Sequence, residues 1–304
     1  EWQSAFKQVE RAIKIRPEDT DILVTKGFIE FKLDQLEAAD HTFKEILKSH
    51  PQHYEAMYFR GFTNLKQKNF EIGWELFDHR WNSPSFLSKR YNFETAEWNG
   101  SSGGEKLLIW DEQGPGDQIM CSLFFNKPLG NFKEIIILCD PRLQGIFSRC
   151  FDKNITFLPN DYDIKKIKYD EHLSMFGLLK YYAKQDQDPK TNEVILKFDN
   201  NEVNRIKGKL KGEKKICGIS WFSENNQSGK DRSYSLLSFL KSFGNSMHDY
   251  IYVNLQYNSS IEEISQVSRK LGVTIYNDDE IDLFNDIDGL LNLAGACDFI
   301  ISID

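Results

Sequence analysis

KLLIWDEQGPGDQIM, Lys106–Met120, is the stretch on which the reading of the fold turns. KLLIW is a short apolar run bounded by turn residues, the pattern of a buried strand. A helix-like stretch comes after it, and between the two lie Gly114, Pro115, Gly116 and Asp117. Chain reversal alone has no need of Asp117. Gly114 and Gly116 allow a sharp turn and let a ligand approach with no Cβ in the way. In an open α/β sheet, ligands bind outside the carboxyl ends of the strands, which is where this turn falls. Asp117 stands at or near the N-cap of the next helix. Spacing alone therefore leaves two readings open, a helix cap accepting backbone N–H groups or a working carboxylate. The stretch is not a Walker loop, because no GK[ST] follows, and it lacks the third glycine of the dinucleotide fingerprint.

C-terminal to this stretch the pattern alternates. EIIILC (134–139) and ITFL (155–158) read as strands, and PRLQGIFSRCF (141–151) and HLSMFGLLKYYAK (172–184) as helices. A polar stretch over about 186–213 acts as a connector, and the alternation then restarts. ICGISW (216–221), YIYVNLQ (250–256), VTIY (273–276) and DFIISID (298–304) are strand-like, while SLLSFLKSF (235–243), SIEEISQVSRKLG (260–272) and about 286–296 are helical. Two runs of βα units imply two parallel sheets with covered faces, hence two Rossmann-like domains.

N-terminal to it the chain repeats itself. Pro17 and Pro51, Gly27 and Gly61, Phe28 and Phe62, and Leu36 and Phe70 are each 34 residues apart. Ala5, Ala39 and Gly73 form a small-residue series, and Val9, Phe43 and Phe77 a large apolar one. Small residues let two helices approach, large ones fill the adjacent groove, and the prolines close one helix pair before the next begins. A period of 34 with this pattern resembles the tetratricopeptide repeat over residues 1–82. Such a stack serves either as a partner-binding arm or as a spacer packed on the next domain. Trp74, Phe77 and Trp81 share one helical face and read as a dock onto the neighbouring domain; NFETAEWNGSSGGEK (92–106) reads as linker.

The resulting plan is α followed by α/β: helical repeats at 1–82, a linker at 83–105, a first Rossmann-like domain at 106–200, a connector at 201–214 and a partial second Rossmann-like domain at 215–304. The net charge is −8 with no basic stripe, which argues against nucleic acid as a partner. No apolar run reaches the ~20 residues of a membrane span. The five cysteines, Cys121, Cys139, Cys150, Cys217 and Cys297, have no metal or CxxC spacing. They read as free thiols of a reducing, cytoplasmic setting. The six histidines form no HxxxH or HExxH pattern, so no metal is expected. Glu1 opens inside what reads as a helix, and the chain stops on a strand, so the sequence reads as a piece of a longer protein.

WNG…KLLIWDEQGPGDQI resembles the start of the glycosyltransferase region found behind tetratricopeptide repeats, and that region is similar to the heptosyltransferase family, glycosyltransferase family nine. Gly116 and Asp117 match the family's Gly-Asp, whose Asp is its proposed base; CDPRL (139–143) resembles the end of the second strand. GISWFS (218–223), RSYSL (232–236), LQY (255–257) and NDIDGLLNLAGACDFIISID (285–304) resemble segments of the family's donor domain. The resemblance covers nearly all of 98–304 and implies a GT-B fold whose second domain is incomplete. It implies inverting transfer of a sugar from a nucleotide sugar to a hydroxyl on a glycan or protein acceptor, without a cofactor. Asp117 would be the base, and Gly114, Gly116, Gln118, Ser220, Ser223, Lys230, Arg232, Gln256 and Asp304 would contact donor or substrate. SENNQSGK, with Ser223 and Lys230, also reads as a polar surface loop, and Arg232 as a structural cap or ion-pair partner. In the family a Thr or Ser, a His and a Gly-rich turn come after ISID; this chain ends at Asp304, so the chain as given is expected to be inactive. The rival expectation is a non-catalytic interaction module on a degenerate α/β scaffold.

Overall fold

The computed structural model describes residues 1–88, 90–127, 129–183, 196–210, 212–223 and 233–303. Helices α1 (Trp2–Ile15), α2 (Thr20–Lys32), α3 (Leu36–Ser49), α4 (Tyr54–Lys66) and α5 (Phe70–Phe77) make up the N-terminal region. α1, α3 and α5 begin 34 residues apart, as do α2 and α4. The turns keep the same register, with Asp34 and Lys68 in left-handed backbone at φ of 61° and 64°. Local chemistry starts the even helices: Asp19 caps α2 by accepting from Asp21 N–H (3.1 Å) and Ile22 N–H (3.2 Å). Close packing explains the glycines. A Cβ on Gly27 would lie 2.7 Å from the Phe43 ring, and one on Gly61 would lie 2.7 Å from the backbone nitrogen of Phe77. Val24, Ala39, Phe43, Ile46 and Ala56 form the core of this layer.

The chain divides into two compact units, one of Glu1–Asp140 with Phe151–Ile195 and the other of Pro141–Cys150 with Leu196–Asp304. The first unit joins the five helices to a parallel sheet of β1 (Ala96–Glu97), β2 (Lys106–Trp110), β3 (Glu134–Cys139), β4 (Ile155–Pro159) and β5 (Glu171–Ser174), in the order β1-β5-β2-β3-β4. β2 is central: Ile109 pairs with Ile137 of β3 on one side and with Leu173 of β5 on the other. Both faces of β2 are covered, which is why it is a continuous apolar run rather than an alternating one. On one face Leu108, Trp110, Ile136 and Leu138 pack with Trp81, Tyr91 and Phe93. The short helices α6 (Pro115–Cys121) and α8 (Gly177–Tyr182) come after β2 and β5.

The second unit holds β6 (Lys215–Ser220), β7 (Tyr250–Asn254), β8 (Thr274–Tyr276) and β9 (Phe299–Ser302) in the parallel order β8-β7-β6-β9. Its helices are α7 (Pro141–Cys150), α9 (Asn200–Lys209), α10 (Leu236–Lys241), α11 (Ile261–Leu271) and α12 (Ile287–Ala296). Cys217 and Ile219 belong to the core under α10 and α11; Ile216 belongs to the opposite core under α9 and α12. α7 is next after β3 in the chain, yet it is tied to this unit. Arg149 pairs with Asp288, and Arg142 Nη1 donates to the Phe284 carbonyl at 2.9 Å.

One expectation is corrected, and two segments hold elements that their composition hides. Residues 172–174, expected to open a helix, are strand β5, paired with β2. Three consecutive buried residues, His172–Ser174, carry no period by which strand and helix can be told apart. The polar connector contains α9, whose Val203 and Ile206, with Leu210 beyond it, form an apolar stripe that the surrounding lysines hide in the sequence. The linker contains β1, and Trp98 directly after it is buried with its indole N–H donating to the Ser102 carbonyl at 3.1 Å.

Candidate functional site

In the first sheet the chain leaves β2 at the point where the strand order switches direction, with β3 on one side and β5 on the other. Crevices open at such points. The turn that begins there is fixed at both ends. Asp111 accepts from Tyr91 Oη at 2.9 Å and from Asn160 Nδ2 at 2.8 Å, which ties it to the loop after β4. Glu112 points inward and is fully buried. Arg80, from the 3-10 turn Asp78–Asn82 after α5, donates to Glu112 from Nε (2.9 Å to Oε2) and Nη2 (2.7 Å to Oε1). Glu112 Oε1 also accepts the Phe176 N–H at 2.9 Å, and Arg80 Nη2 donates to Ser174 Oγ at 2.9 Å. The guanidinium lies over the rings of Phe77 and Trp81, 4.7 and 4.6 Å from their centroids.

At the far end of the turn Gln118 is buried, and its Oε1 accepts the Asp140 N–H at 2.8 Å, just past β3. Between the two ends, Gln113 is exposed in left-handed backbone, φ 64°. Gly114 is the N-cap of α6 and Pro115 its first residue, where the missing N–H costs nothing. Asp117 Oδ2 accepts the Gly114 N–H at 3.1 Å. Among the described residues this is the one hydrogen bond of that side chain, so its other oxygen is left for an incoming group. A Cβ placed on Gly116 would meet nothing within 4 Å, so the turn opens outward there. A half-buried carboxylate oriented through one oxygen, beside a residue without a side chain, is fit to accept a proton from a bound hydroxyl. Cys121 sits one helical turn on. Burial, then the charges of Glu112 and Asp117, push its pKa above the usual thiol range, so it stays a thiol and is no nucleophile.

In the second unit Gln256 is fully buried just after β7. Its Oε1 accepts from Ser220 Oγ (2.9 Å), Trp221 N–H (2.9 Å) and Phe222 N–H (3.0 Å), so it shapes the loop that leaves β6. Ser223 N–H donates to Ser233 Oγ at 3.0 Å. Lys230, Arg232 and Asp304 lie outside the described residues. A crevice of about 280 Å³ opens at the carboxyl ends of β7 and β8. Its polar floor includes Asn254, whose Nδ2 donates to Asn277 Oδ1 at 2.8 Å, and its wall holds Tyr257 and Phe284, ring centroids 5.7 Å apart.

Within the first unit the structure brings Gly114, Gly116, Asp117 and Gln118 together, and within the second Ser220 and Gln256. The carboxamide oxygens of Gln118 and Gln256 accept from backbone N–H groups of loops that leave parallel strands and lack a ladder partner. Sequence reasoning missed Arg80 and Glu112. The signal available was an acid directly behind a buried strand, where an unpaired carboxylate cannot remain. Among the described residues no group of three or more His, Cys, Asp or Glu side chains could hold a metal ion, and no helix is long and apolar enough to cross a membrane.

No profile of a known protein family matches the chain. Over 316 residues it is 24% identical to Protein FlbA of Caulobacter vibrioides, a match that covers 96% of this chain and 52% of that protein, so the chain spans about half the length of this relative. Among solved structures it is similar to E. coli ADP-heptose lps heptosyltransferase II, with a TM-score of 0.41 and 12% sequence identity over 66% of this chain and 79% of that one.

Proposed function

We propose that this chain belongs to an inverting glycosyltransferase of the GT-B type, with tetratricopeptide-type repeats at its N-terminus. The observation that carries the reading is the turn after β2, where Asp117 is held by one oxygen beside the open Gly116. Support comes from the resemblance of GISWFS and the ISID segment to a donor domain. In this reading the acceptor hydroxyl gives its proton to Asp117 as its oxygen bonds to the anomeric carbon, and the nucleoside diphosphate leaves with the electrons of the broken C–O bond. The crevice beyond β7 and β8 takes the donor's nucleoside, with Tyr257 and Phe284 against the base and Asn254 and Asn277 near the ribose. The acceptor is a glycan or protein hydroxyl, a protein partner or the acceptor itself docks on the repeats, and the protein works in the cytoplasm.

The test is Asp117→Asn. Asparagine keeps the oxygen that accepts the Gly114 N–H but cannot take up a proton. Release of nucleoside diphosphate from UDP-, ADP- and GDP-sugars by the full-length protein, with acceptor extracts present, is expected to fall by about 10²-fold or more with folding unchanged. A second reading, a non-catalytic interaction module, draws on the same hydrogen bond, because Asp117 also caps α6. Unchanged turnover in the variant, or none in the wild type, would favour it.

A further inference from the structure

We infer that Arg80 is a positioning residue for the turn that carries Asp117, so the last segment of the helical array is a working part of the first unit's site rather than a spacer before it. The inference rests on the reading of Asp117 as the base.

Glu112 lies two residues before Gly114, whose N–H orients Asp117. What fixes Glu112 is a fork of two Arg80 N–H donors and the Phe176 N–H. The same guanidinium reaches Ser174 Oγ at the end of β5, and Ser174 Oγ in turn accepts the Gly177 N–H at 3.2 Å. One side chain thus joins the carboxyl ends of the two strands that flank the switch point. If the pair served stability alone, two apolar side chains of similar volume would do as well or better, because both charges are desolvated. An arginine–carboxylate fork adds direction: it fixes the plane and distance of the carboxylate. That direction matters here because the next residue, Gln113, already sits in left-handed backbone that non-glycine residues rarely adopt. A rotation of Glu112 is not absorbed at Gln113 and passes on to the Gly114 N–H. Arg80 is itself buried. It is held beneath Phe77 and Trp81, and Trp81 packs on Trp110 at 5.0 Å, the last residue of β2.

The test compares wild type with Arg80→Lys, which keeps the charge but loses the fork, and with the paired replacement Arg80→Met, Glu112→Met, which removes both charges and keeps the volume. Hydrogen exchange is measured in peptides over 111–121 and, as internal controls, over β3 and β4. Exchange in the turn is expected to rise about tenfold or more in both variants while β3 and β4 keep their protection. In the paired variant the urea midpoint stays near wild type. A purely structural role gives a different result: exchange rises together in the turn and in both strands, or the turn does not change in the paired variant, and either overturns the inference. Nucleotide-sugar turnover supplies a second arm. Arg80→Lys is expected to lower kcat about tenfold with the donor KM within about twofold, since none of the proposed donor contacts is touched. A loosened turn with unchanged kcat also overturns it. If the wild type itself turns over no nucleotide sugar, the transfer reading fails, and the positioning role is still decided by hydrogen exchange.

Discussion

His172 is a core histidine, buried in β5 with its Nδ1 accepting the Trp110 indole N–H at 3.3 Å and its ring stacked on Phe93 at 3.7 Å. Burial, and after it the positive charge of Arg90, hold its pKa down to about 4, against the opposing effect of a backbone hydrogen bond at Thr95. An unfolded His takes up a proton below about pH 6.5, while the native ring resists until about pH 4. In that window the unfolded chain binds more protons, so stability falls as pH falls, by about 3 kcal/mol in all at the acid end. Urea unfolding at pH 7, 5.5 and 4.5 checks this. Replacing His172 by glutamine, whose amide can accept from Trp110 without titrating, should flatten this limb; an identical acid limb in the variant would assign the effect to other groups.

Gly27 and Gly61 stand at equivalent places in successive helical layers, yet alanine should cost them differently. At Gly27 the new methyl meets the ring of Phe43; at Gly61 it meets the backbone of Phe77, which cannot rotate away. Alanine is the better helix former by about 1 kcal/mol, and overpacking costs about 1–3 kcal/mol. Gly27→Ala is therefore expected to come out near neutral to mildly destabilising, and Gly61→Ala clearly destabilising. Thermal unfolding of the two variants side by side checks the order. The same pair shows what was legible in the sequence. Helix register could be read because small and large residues alternate at a spacing that only helix-on-helix packing requires, and strands such as β2 and β3 because covered sheets demand unbroken apolar runs. β5 and α9 could not be read: one is too short to show a period, and the other carries its apolar stripe inside a lysine-rich segment. At the site, glycine and acid types in the turn were legible, as local chemistry is. The partners of Glu112 and those that Gln256 Oε1 accepts from were not, because they come from residues 32 and 64 positions away in the first case and 34–36 in the second.

Both units have a sheet in which the first strand of the unit's main βα run lies between the second and the last: β5-β2-β3-β4 in one and β9-β6-β7-β8 in the other. Each therefore carries its own switch point, and among the described residues Gly114, Gly116, Asp117 and Gln118 come directly after β2, and Ser220 and Gln256 lie at the ends of β6 and β7. The chain as a whole is acidic, with net charge −8 and a pI of about 5.4. Near that pH mutual repulsion vanishes, and association between molecules should be strongest. Light scattering across pH 4.5–8 is expected to peak near pH 5.4 and to fall with charge of either sign; a flat profile would contradict it. Because His172 begins to weaken the fold in the same range, unfolding and association will compound each other below neutrality.

The ion pair between Arg80 and Glu112 also sets rules for how such a chain can be recombined. α1 to α4 are held by helices next to them in the array, so one 34-residue period can be inserted or deleted among them without changing the register. The last turn of the array is different. Cutting at the apparent linker and expressing residues 83–304 would remove both Arg80 donors to Glu112 and the Phe77 and Trp81 rings that hold the guanidinium. The seam between modules thus lies inside the array and not where the glycines and serines are. Hybrid proteins should accordingly be joined before α5 rather than after it, so that the turn at Asp78–Asn82 stays with the sheet.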